Sequence, residues 1–327
     1  MRIAIIGSGS VGSYYGARLA RRGHDVRFLM RRDLHAVRRD GLFVRSPEGD
    51  FHVRAAAFAR PEEIGPVDLV ICALKATALD QAEGLIRPCV GPGTRILALI
   101  NGLGIEERLA RWFEPWRILG GLAFVCIHRG EPGVVVHEGY GRVMIGHLLD
   151  DADSAGQIAG LFADAGLESG VRPSLKQARW EKLMWNIPFS TLGITAGGVT
   201  TRDILADEGL TLLARRLIVE TGTAGNAAGC EIDVPAVMDK MIADTIPMGA
   251  YRPSMLVDYQ NRLPLEVEAI LGEPVRRAAA LGVPVPVMET QYRLVSFLDR
   301  LNRGELKPGN GRPRTVDPSS EPHDPRS

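Results

Sequence analysis

The first twelve residues constrain the fold of this chain more than any other segment. Residues 3–6 form a short apolar run that predicts a buried β-strand, and Gly7, Gly9 and Gly12 follow it in G-x-G-x-x-G spacing. Residues 13–22 then have the pattern of a helix. A strand, this glycine spacing and a helix, in that order, are typical of the phosphate-binding turn of a doubly wound α/β fold, although an ordinary tight turn is the alternative.

Each glycine of this turn would serve a separate physical purpose. Gly7 permits the sharp turn, Gly9 lets the backbone approach a pyrophosphate, and Gly12 allows the helix to pack closely on the strand. The N–H groups and the positive dipole end of the following helix attract phosphate. We therefore predict that a dinucleotide cofactor binds at Gly7, Ser8, Gly9, Ser10, Val11 and Gly12.

The segment after the second predicted strand bears on which dinucleotide would bind. Residues 25–30 form the next apolar run, and Arg31 and Arg32 follow it. An NAD site usually has an acidic residue at this strand end to bind the ribose 2′-hydroxyl, whereas the planar, permanently charged guanidinium of arginine suits a 2′-phosphate. The sequence favours NADP(H) as the cofactor, with Arg31 as a cofactor contact, and a solvated basic loop is the alternative.

Length and composition limit the remaining possibilities. The 327 residues leave room for two domains, and equal numbers of basic and acidic residues, 39 of each, give no argument for nucleic acid or an anionic membrane as a partner. No apolar run approaches the roughly 18 residues that span a bilayer, and the chain enters its first strand directly, so we expect neither a membrane segment nor a secretory signal. The four cysteines and seven histidines lack metal-ligand spacing. We expect free thiols, no metal site and a cytoplasmic location.

Residues 1–172 are predicted to form the dinucleotide-binding domain. Predicted strands and helices alternate in this part, which is typical of a doubly wound, Rossmann-type parallel sheet. Besides the segments already given, the pattern predicts strands over 67–74 and 95–100, a helix over 76–86, further strands, some of them antiparallel, over 119–127, 133–137 and 142–145, a helix over 153–165 and a short strand over 169–171.

Strand patterns disappear after Pro173. Residues 173–305 are predicted to form an all-helical domain, with the crevice between the two domains as the ligand site. Residues 306–327 have almost no apolar side chain, so we expect a disordered tail. The predicted helices cover 175–192, 210–228, 235–244, 254–262, 264–281 and 286–302.

Polar side chains follow two of the predicted parallel strands. Lys75 comes directly after the strand over 67–74, and Asn101 comes directly after the strand over 95–100. Ligands of open parallel sheets bind beyond the carboxyl ends of the strands. Lys75 could therefore pair with a phosphate or a carboxylate, and Asn101 could bind a ligand beside the cofactor. A solvated loop lysine and a turn asparagine are the alternatives.

The helix over 175–192 carries a polar stripe on an otherwise apolar surface. Lys182, Asn186 and Ser190 recur at i, i+4 and i+8, which aligns them on one face. Polar groups on a buried helix need partners, and Pro188 lacks an N–H group, so we expect a kink there. The pattern favours a substrate-binding wall, and an amphipathic helix with this face in water is the alternative.

A serine and two acidic residues precede or open predicted helices further along. Ser254 lies at a predicted helix N-cap, and Glu266 and Glu268 lie in the first turn of a helix opened by Pro264. Capping and compensation of the helix dipole explain these residues without any function.

Taken as a set, these motifs resemble the ketopantoate reductase (2-dehydropantoate 2-reductase) family over nearly all of residues 1–302. The resemblance implies an NADPH-binding Rossmann domain, a helical domain similar to that of 6-phosphogluconate dehydrogenases, and reduction of a 2-oxo acid. The motifs that carry it are Gly7, Gly9, Gly12 and Arg31, Leu74-Lys75-Ala76, Asn101-Gly102-Leu103-Gly104, the segment from Trp180 to Asn186, the segment from Ser254 to Asp258, and Glu266.

The resemblance also implies roles for individual residues. Lys182 is similar to the catalytic lysine, and Glu266 to an acid that binds the substrate hydroxyl or the lysine. Asn186 and Ser254 resemble substrate contacts, and Ser190, four residues after Asn186, stands where many members carry a second asparagine. The resemblance further predicts that Asn101 contacts both substrate and cofactor, and that Lys75, Arg31 and Glu266 contact the cofactor.

The activity implied is NADPH-dependent reduction of a 2-oxo acid to a 2-hydroxy acid. The foremost candidate is 2-dehydropantoate, reduced to pantoate for pantothenate and coenzyme A biosynthesis. Ser190 and the poor match of residues 195–202 to the usual pattern keep another branched 2-oxo acid open as the substrate. A non-catalytic NADP(H)-binding protein on the same fold is the other alternative. We expect a small 2-oxo acid as the partner, and a homodimer formed through the helical domain.

Overall fold

The computed structural model describes residues 1–306 of the chain. Within that range, ten strands form one sheet, and most of the helices follow it in the chain. The strands are β1 (Arg2–Ile6), β2 (Asp25–Leu29), β3 (Leu42–Arg45), β4 (Phe51–Val53), β5 (Ala56–Phe58), β6 (Val67–Cys72), β7 (Val90–Ala98), β8 (Ile118–Arg129), β9 (Val134–His147) and β10 (Ser169–Val171). The α-helices are α1 (Ser10–Arg21), α2 (Leu34–Asp40), α3 (Ala82–Ile86), α4 (Ile105–Leu109), α5 (Ala152–Asp164), α6 (Leu175–Thr195), α7 (Thr201–Ala206), α8 (Glu208–Ala227), α9 (Val234–Thr245), α10 (Ser254–Gln260), α11 (Glu273–Ala280) and α12 (Pro286–Asn302).

β1 lies where the order of the parallel strands reverses. β5, β2, β1, β6, β7 and β8 are parallel neighbours in that spatial order, so the chain builds the sheet outward from β1 first on one side and then on the other. This is the 3-2-1-4-5-6 order of dinucleotide-binding folds, in which ligands bind outside the carboxyl ends of the strands at the switch point. Here that point lies between the ends of β1 and β6.

Alternating apolar side chains on β1 explain why both faces of the sheet are covered. Ile3 and Ile5 contribute to one apolar cluster, which includes residues of α1 and α5. Ala4 and Ile6 point to the opposite face and belong to a second cluster with residues of α3 and α4. Successive residues of a strand point to opposite faces, so a wholly apolar strand is buried on both sides.

The predicted fold class is confirmed, with a mixed rather than wholly parallel sheet. β8 and β9 are antiparallel, and β9 also pairs with β3 near its start and with β10 near its end. The two strands predicted over 133–137 and 142–145 are one continuous strand, since β9 runs through Tyr140 and Gly141, whose positive φ angles and shifted register mark an irregularity rather than an end. The sequence pattern also missed α2, β3, β4, β5, α4 and α7, which are all shorter than eight residues.

The second half of the described chain is helical, as predicted. Its core is formed by apolar side chains that include Trp180, Met184, Leu217 and Leu271. α6 continues through Pro188 to Thr195, so this proline does not end the helix. The predicted helix over 264–281 is instead a π-helical turn, Glu268–Gly272, followed directly by α11.

One local prediction is wrong. Ser254 is the first residue of α10 and not its cap, because Pro253 holds the N-cap position and no side-chain cap bond forms there. The helical stretch predicted over 76–86 is confirmed, and it begins as a 3₁₀ helix, Ala76–Gln81, that continues directly into α3. Apart from its first residue, the predicted tail lies outside the described residues. In residues 1–306, no helix is long and apolar enough to cross a membrane.

Candidate active site

The glycine turn has the geometry that a phosphate-binding turn requires. Gly7 has a φ of +95°, and a Cβ atom there would lie 2.6 Å from the carbonyl carbon of Ala73, at the end of β6. A Cβ atom on Gly12 would collide with the carbonyl oxygen of Gly7. By contrast, a Cβ atom on Gly9 would have no neighbour within 4 Å. Gly9 thus faces open space, where a phosphate could approach the backbone, while Gly7 and Gly12 close the turn.

The start of α1 presents backbone donors at this turn. Gly9 is its N-cap residue and no side chain caps the helix, so the first N–H groups of α1 are left for another acceptor. Ser8 fixes the turn against the neighbouring strand, because its Oγ donates a hydrogen bond of 2.8 Å to the carbonyl oxygen of Leu29 in β2. The predicted residues Ser10 and Val11 form the first turn of this helix.

The loop after β2 carries positive charge without a partner. The side chains of Arg31 and Arg32 are exposed, and neither forms an ion pair within residues 1–306. The next residue, Asp33, is engaged in an ion pair with Arg129. Since Leu29 joins this loop to the glycine turn, the guanidinium groups of Arg31 and Arg32 follow the end of β2, and the carboxylate of Asp33 is already paired with Arg129.

Lys182 is the most perturbed cation of the site. α6 holds its side chain against β8, where Nζ donates a hydrogen bond of 2.6 Å to the carbonyl oxygen of Ala123 and lies 5.0 Å from the centre of the Phe124 ring. The residue is only 9% exposed. Burial, with a smaller contribution from the positive charge of Arg179, lowers the pKa of Lys182 from 10.5 to about 7, and Glu266 opposes this change.

Glu266 lies between the two halves of the protein. It is 4% exposed, and its Oε1 accepts a hydrogen bond of 2.8 Å from the backbone N–H of Ala76, just after the end of β6. Burial raises the pKa of Glu266 above its ordinary value, although the Lys75 ammonium and the Ala76 N–H group stabilise the carboxylate form. The carboxyl group of Glu266 therefore faces the end of β6 from the helical half.

Lys75 bridges two acidic residues. Its Nζ lies 2.6 Å from Oδ2 of Asp258 and 3.9 Å from Oε2 of Glu266, and half of its side chain is exposed. Burial of the amine opposes its charged form, but the carboxylates of Glu266 and Asp258 outweigh this effect and raise the pKa of Lys75. Asp258 was missed as a site residue, and the signal available was its position one helical turn after Ser254 in the motif of α10.

Asn101 reaches the same region through its loop. It follows β7, and the next residue, Gly102, has a φ of +106° and packs so closely on Ala269 that a Cβ atom would lie 2.5 Å from that residue's Cβ. Leu103 then donates a backbone hydrogen bond of 2.9 Å to the carbonyl oxygen of Ala269. The Asn101 loop is therefore held against the turn that begins immediately after Glu266.

Three more predicted residues lie on the helices that carry Lys182 and Asp258. Asn186 and Ser190 follow Lys182 at one-turn intervals on α6, and Ser190 is buried. Ser254 is exposed at the start of α10, which packs on α6. Among the described residues, no side-chain hydrogen bond is formed by Asn101, Asn186, Ser190 or Ser254.

The histidine, cysteine and acidic side chains of the described residues bear on whether a metal ion could bind. Within residues 1–306, no group of three or more histidine, cysteine, aspartate or glutamate side chains is arranged to hold a metal ion. All four cysteines are free thiols. The arrangement that remains is a buried amine, a buried carboxyl group and a second lysine beside a turn suited to a dinucleotide.

Comparison with known proteins identifies relatives of the whole described chain. Residues 3–150 match the family model described as "Ketopantoate reductase PanE/ApbA", and residues 174–299 match the model of its C-terminal part. A 2-dehydropantoate 2-reductase from Nostoc is 35% identical over 313 residues, which cover 93% of this chain and 98% of the relative.

Solved structures agree with the sequence comparison. The crystal structure of 2-dehydropantoate 2-reductase from Geobacter metallireducens is 43% identical with a TM-score of 0.88, covering 91% of this chain and 99% of that one. The corresponding structure from Methylococcus capsulatus is 32% identical with a TM-score of 0.86, covering 92% and 98%.

Proposed function

The chain belongs to the ketopantoate reductase family, and we propose that it reduces 2-dehydropantoate to pantoate with NADPH. The observation that carries this proposal is the buried Lys182 of α6, whose pKa is near 7 and whose charge is coupled to that of Glu266. A reductase of a 2-oxo acid needs a proton donor beside the carbonyl oxygen, and Lys182 has the properties of one.

The residues around the glycine turn fit a dinucleotide phosphate. The open space at Gly9 and the uncapped start of α1 would accept the pyrophosphate, and Arg31 would bind the 2′-phosphate. Asp33 is paired with Arg129, so the carboxylate nearest to the end of β2 is not free to bind a ribose 2′-hydroxyl. When bound, NADPH supplies the hydride that reduces the carbonyl carbon.

Lys182 would stabilise negative charge on the substrate oxygen and then protonate it. An ammonium group has three donors, and the Ala123 carbonyl takes one of them, so donors remain for the substrate oxygen. As hydride reaches the carbonyl carbon, the C=O π bond breaks toward oxygen, and a proton from Nζ completes the hydroxyl group. A pKa near 7 favours this transfer, because general acids work best when their pKa lies near the operating pH.

The other polar residues would orient the substrate. Asn101, Asn186, Ser190 and Ser254 have side-chain donors or acceptors that are not used within residues 1–306, so they are free to bind the carboxylate and hydroxyl groups of a 2-oxo acid. Glu266 would hold the substrate hydroxyl or Lys182, and Lys75 would contact the cofactor. We place the reaction in pantothenate and coenzyme A biosynthesis, the pathway that consumes pantoate.

We also propose a homodimer formed through the helical half. The support is a set of exposed apolar side chains on two neighbouring helices: Leu212 and Val219 on α8, and Leu294 and Phe297 on α12. Sedimentation equilibrium should give the mass of two chains, and replacing Phe297 with glutamate should shift it to that of one. A monomeric wild-type protein would contradict this assembly.

The activity is tested by following the loss of NADPH absorbance with 2-dehydropantoate and a panel of other 2-oxo acids. We expect the largest kcat/KM for 2-dehydropantoate, and pantoate as the product by mass spectrometry. Lys176→Met is a matched control, because Lys176 lies on α6, is exposed and, among residues 1–306, donates a hydrogen bond to the Ala228 carbonyl alone. Faster turnover of another 2-oxo acid would assign that acid as the substrate instead. NADPH binding without turnover of any 2-oxo acid would refute the enzymatic role.

A further inference from the structure

A buried ion pair beside the site has no part in the chemistry proposed above. Arg179, three residues before Lys182 on α6, pairs with Glu106 of α4, and the two side chains are 3% and 2% exposed. Buried ion pairs contribute little net stability, because desolvation of both groups offsets their attraction. Moreover, Nε of Arg179 is buried without a hydrogen-bond partner in the described part of the chain. Stability alone is therefore a poor explanation for this pair.

The contacts of Arg179 lie on both sides of Asn101. Its guanidinium group donates to the carbonyl oxygen of Ile100 at 2.7 Å and to that of Ala98 at 3.3 Å, at the end of β7. The same group binds Glu106, which lies in the helix after the Asn101 loop. One side chain of α6 thus holds both ends of the loop that carries Asn101.

The neighbouring strand leaves room for this arrangement. A Cβ atom on Gly120 of β8 would lie 2.5 Å from Oε1 of Glu106 and 3.1 Å from Nη2 of Arg179. A side chain at this position would have to displace Glu106 or Leu175 of α6, whose Cδ1 would lie 2.6 Å from that Cβ atom. The close approach of α6, α4 and β8 at this point therefore depends on a glycine in the sheet.

The charged groups that act on Lys182 lie on α6 itself and on the segment after α10. Arg179 lies on its own helix, and Glu266 faces it from the segment after α10. β8 contributes the Ala123 carbonyl and the Phe124 ring, with Arg142 of β9 also stacked on that ring. Lys75 and Asp258 lie beyond Glu266. Of these groups, Arg179 lowers the pKa of Lys182 and Glu266 raises it.

We propose that Arg179 and Glu106 are positioning residues, which hold the Asn101 loop in a fixed register with Lys182 on α6. The inference rests on the proposed function, since it assigns these two residues an effect on the same reaction. Neither residue needs to touch substrate or cofactor. Their effect is geometric, because Lys182 and Asn101 would contact one substrate molecule from different elements of the fold, and a shift of about 1 Å can lower a rate by about a hundred-fold.

The test separates positioning from folding. The double variant Arg179→Met/Glu106→Leu removes both charges and fills the space with apolar side chains, which for buried pairs is often neutral or stabilising. We expect a folded protein whose melting temperature falls only modestly, because the carbonyl oxygens of Ile100 and Ala98 lose their donor. Measured well below that temperature, kcat should be lower by about ten- to a hundred-fold, and the KM for NADPH should change less than kcat. The matched control Arg172→Met/Glu181→Leu removes another ion pair of α6, and its kcat should stay within about two-fold of the wild type.

A folded Arg179→Met/Glu106→Leu variant with wild-type kcat would overturn the proposal, and so would a loss of kcat that only follows the loss of folded protein. The single variant Arg179→Met offers a second readout, independent of turnover. The chain has five lysines, so NMR titration of ¹³C-labelled lysine ε-carbons resolves them individually; they are Lys75, Lys176, Lys182, Lys240 and Lys307.

In Arg179→Met, the pKa of Lys182 should rise by about half a pH unit or more, because a nearby positive charge is lost. An unchanged pKa would show that the guanidinium group of Arg179 is not held close to Lys182, and would overturn the register on which the proposal depends. If the wild-type protein reduces no 2-oxo acid, the proposed function fails, and this titration still tests the coupling of Arg179 to Lys182.

Discussion

Replacing Lys182 with methionine should remove activity and yet stabilise the protein near neutral pH. The charged form of Lys182 is disfavoured in the fold, since its pKa falls from 10.5 to about 7. A difference of that size corresponds to about 5 kcal/mol of destabilisation at any pH below the folded pKa. Methionine has a similar length and no charge, so this destabilisation disappears in the variant.

The Lys182→Met variant also loses one stabilising hydrogen bond, the one from Nζ to Ala123. The carbonyl oxygen of Ala123 loses the hydrogen bond from Nζ, and an unsatisfied buried acceptor costs about 1–3 kcal/mol. The free energy of unfolding of Lys182→Met should therefore exceed that of the wild type by about 2–4 kcal/mol at about pH 6.5. kcat should fall at least about a hundred-fold, because both charge stabilisation and proton donation are removed.

The sign of the stability difference should change with pH. The unfolded chain binds more protons at Lys182 than the folded chain between the folded pKa near 7 and the unfolded pKa of 10.5, so wild-type stability rises with pH across this window. At about pH 10 the destabilisation is below about 1 kcal/mol, and the lost hydrogen bond dominates. The variant should then be less stable than the wild type.

Urea unfolding followed by tryptophan fluorescence measures both free energies, since Trp180 and Trp185 flank Lys182 on α6. Lys176→Met is the control, and this exposed substitution should change stability by less than about 0.5 kcal/mol at either pH. A Lys182→Met variant that is less stable than the wild type at about pH 6.5 would refute the reasoning, because Lys182 would then be a well-satisfied cation with an ordinary pKa.

Three further predictions concern the cofactor, the substrate and the second lysine. Arg31→Ala should raise the KM for NADPH by about ten- to a hundred-fold and leave that for NADH nearly unchanged, and equal weakening of both would contradict a 2′-phosphate contact. Ser190→Asn should change the ratio of kcat/KM between 2-dehydropantoate and smaller 2-oxo acids by more than about ten-fold, because a larger polar side chain then lies next to Asn186 on the same face of α6. A constant ratio would show that Ser190 does not contact the substrate. Asp258→Asn should lower the pKa of Lys75 in a lysine NMR titration, since one of the two carboxylates that stabilise its charged form is lost, and an unmoved resonance would argue against the ion pair.

The features that sequence alone predicted well are local ones. The glycine turn could be predicted because Gly7, Gly9 and Gly12 lie within six residues of one another, and the chain must turn there whatever surrounds it. The long helices of the second half were predicted for the same reason, since their apolar repeats are contained within each helix. The kink expected at Pro188 stays a prediction, while the helix that contains this proline extends three residues beyond its predicted end, to Thr195, in closely packed surroundings.

The contacts that define the site could not be predicted in this way. Lys75 and Asp258 are separated by 183 residues, and Ala76 and Glu266 by 190. No periodic pattern relates positions so far apart, because their approach depends on how the helical half packs on the sheet. The contact between Arg179 and Glu106 was equally hidden, since the two residues are 73 positions apart and a charged residue inside a helix usually faces solvent.

The site distinguishes its two lysines by their surroundings. Lys75 is half exposed and lies between two carboxylates, so it remains charged and suits a permanent electrostatic contact. Lys182 is buried and has Arg179 on its own helix, and both effects lower its pKa. Glu266 acts in the opposite direction but does not outweigh them, so Lys182 can give up a proton near neutral pH. The two lysine amines near Glu266 thus have pKa values that differ in opposite directions from the ordinary value. Such a difference allows one active site to supply both a fixed charge and a proton. The reverse assignment would require the more exposed, doubly paired amine to release its proton first, against the attraction of both acids.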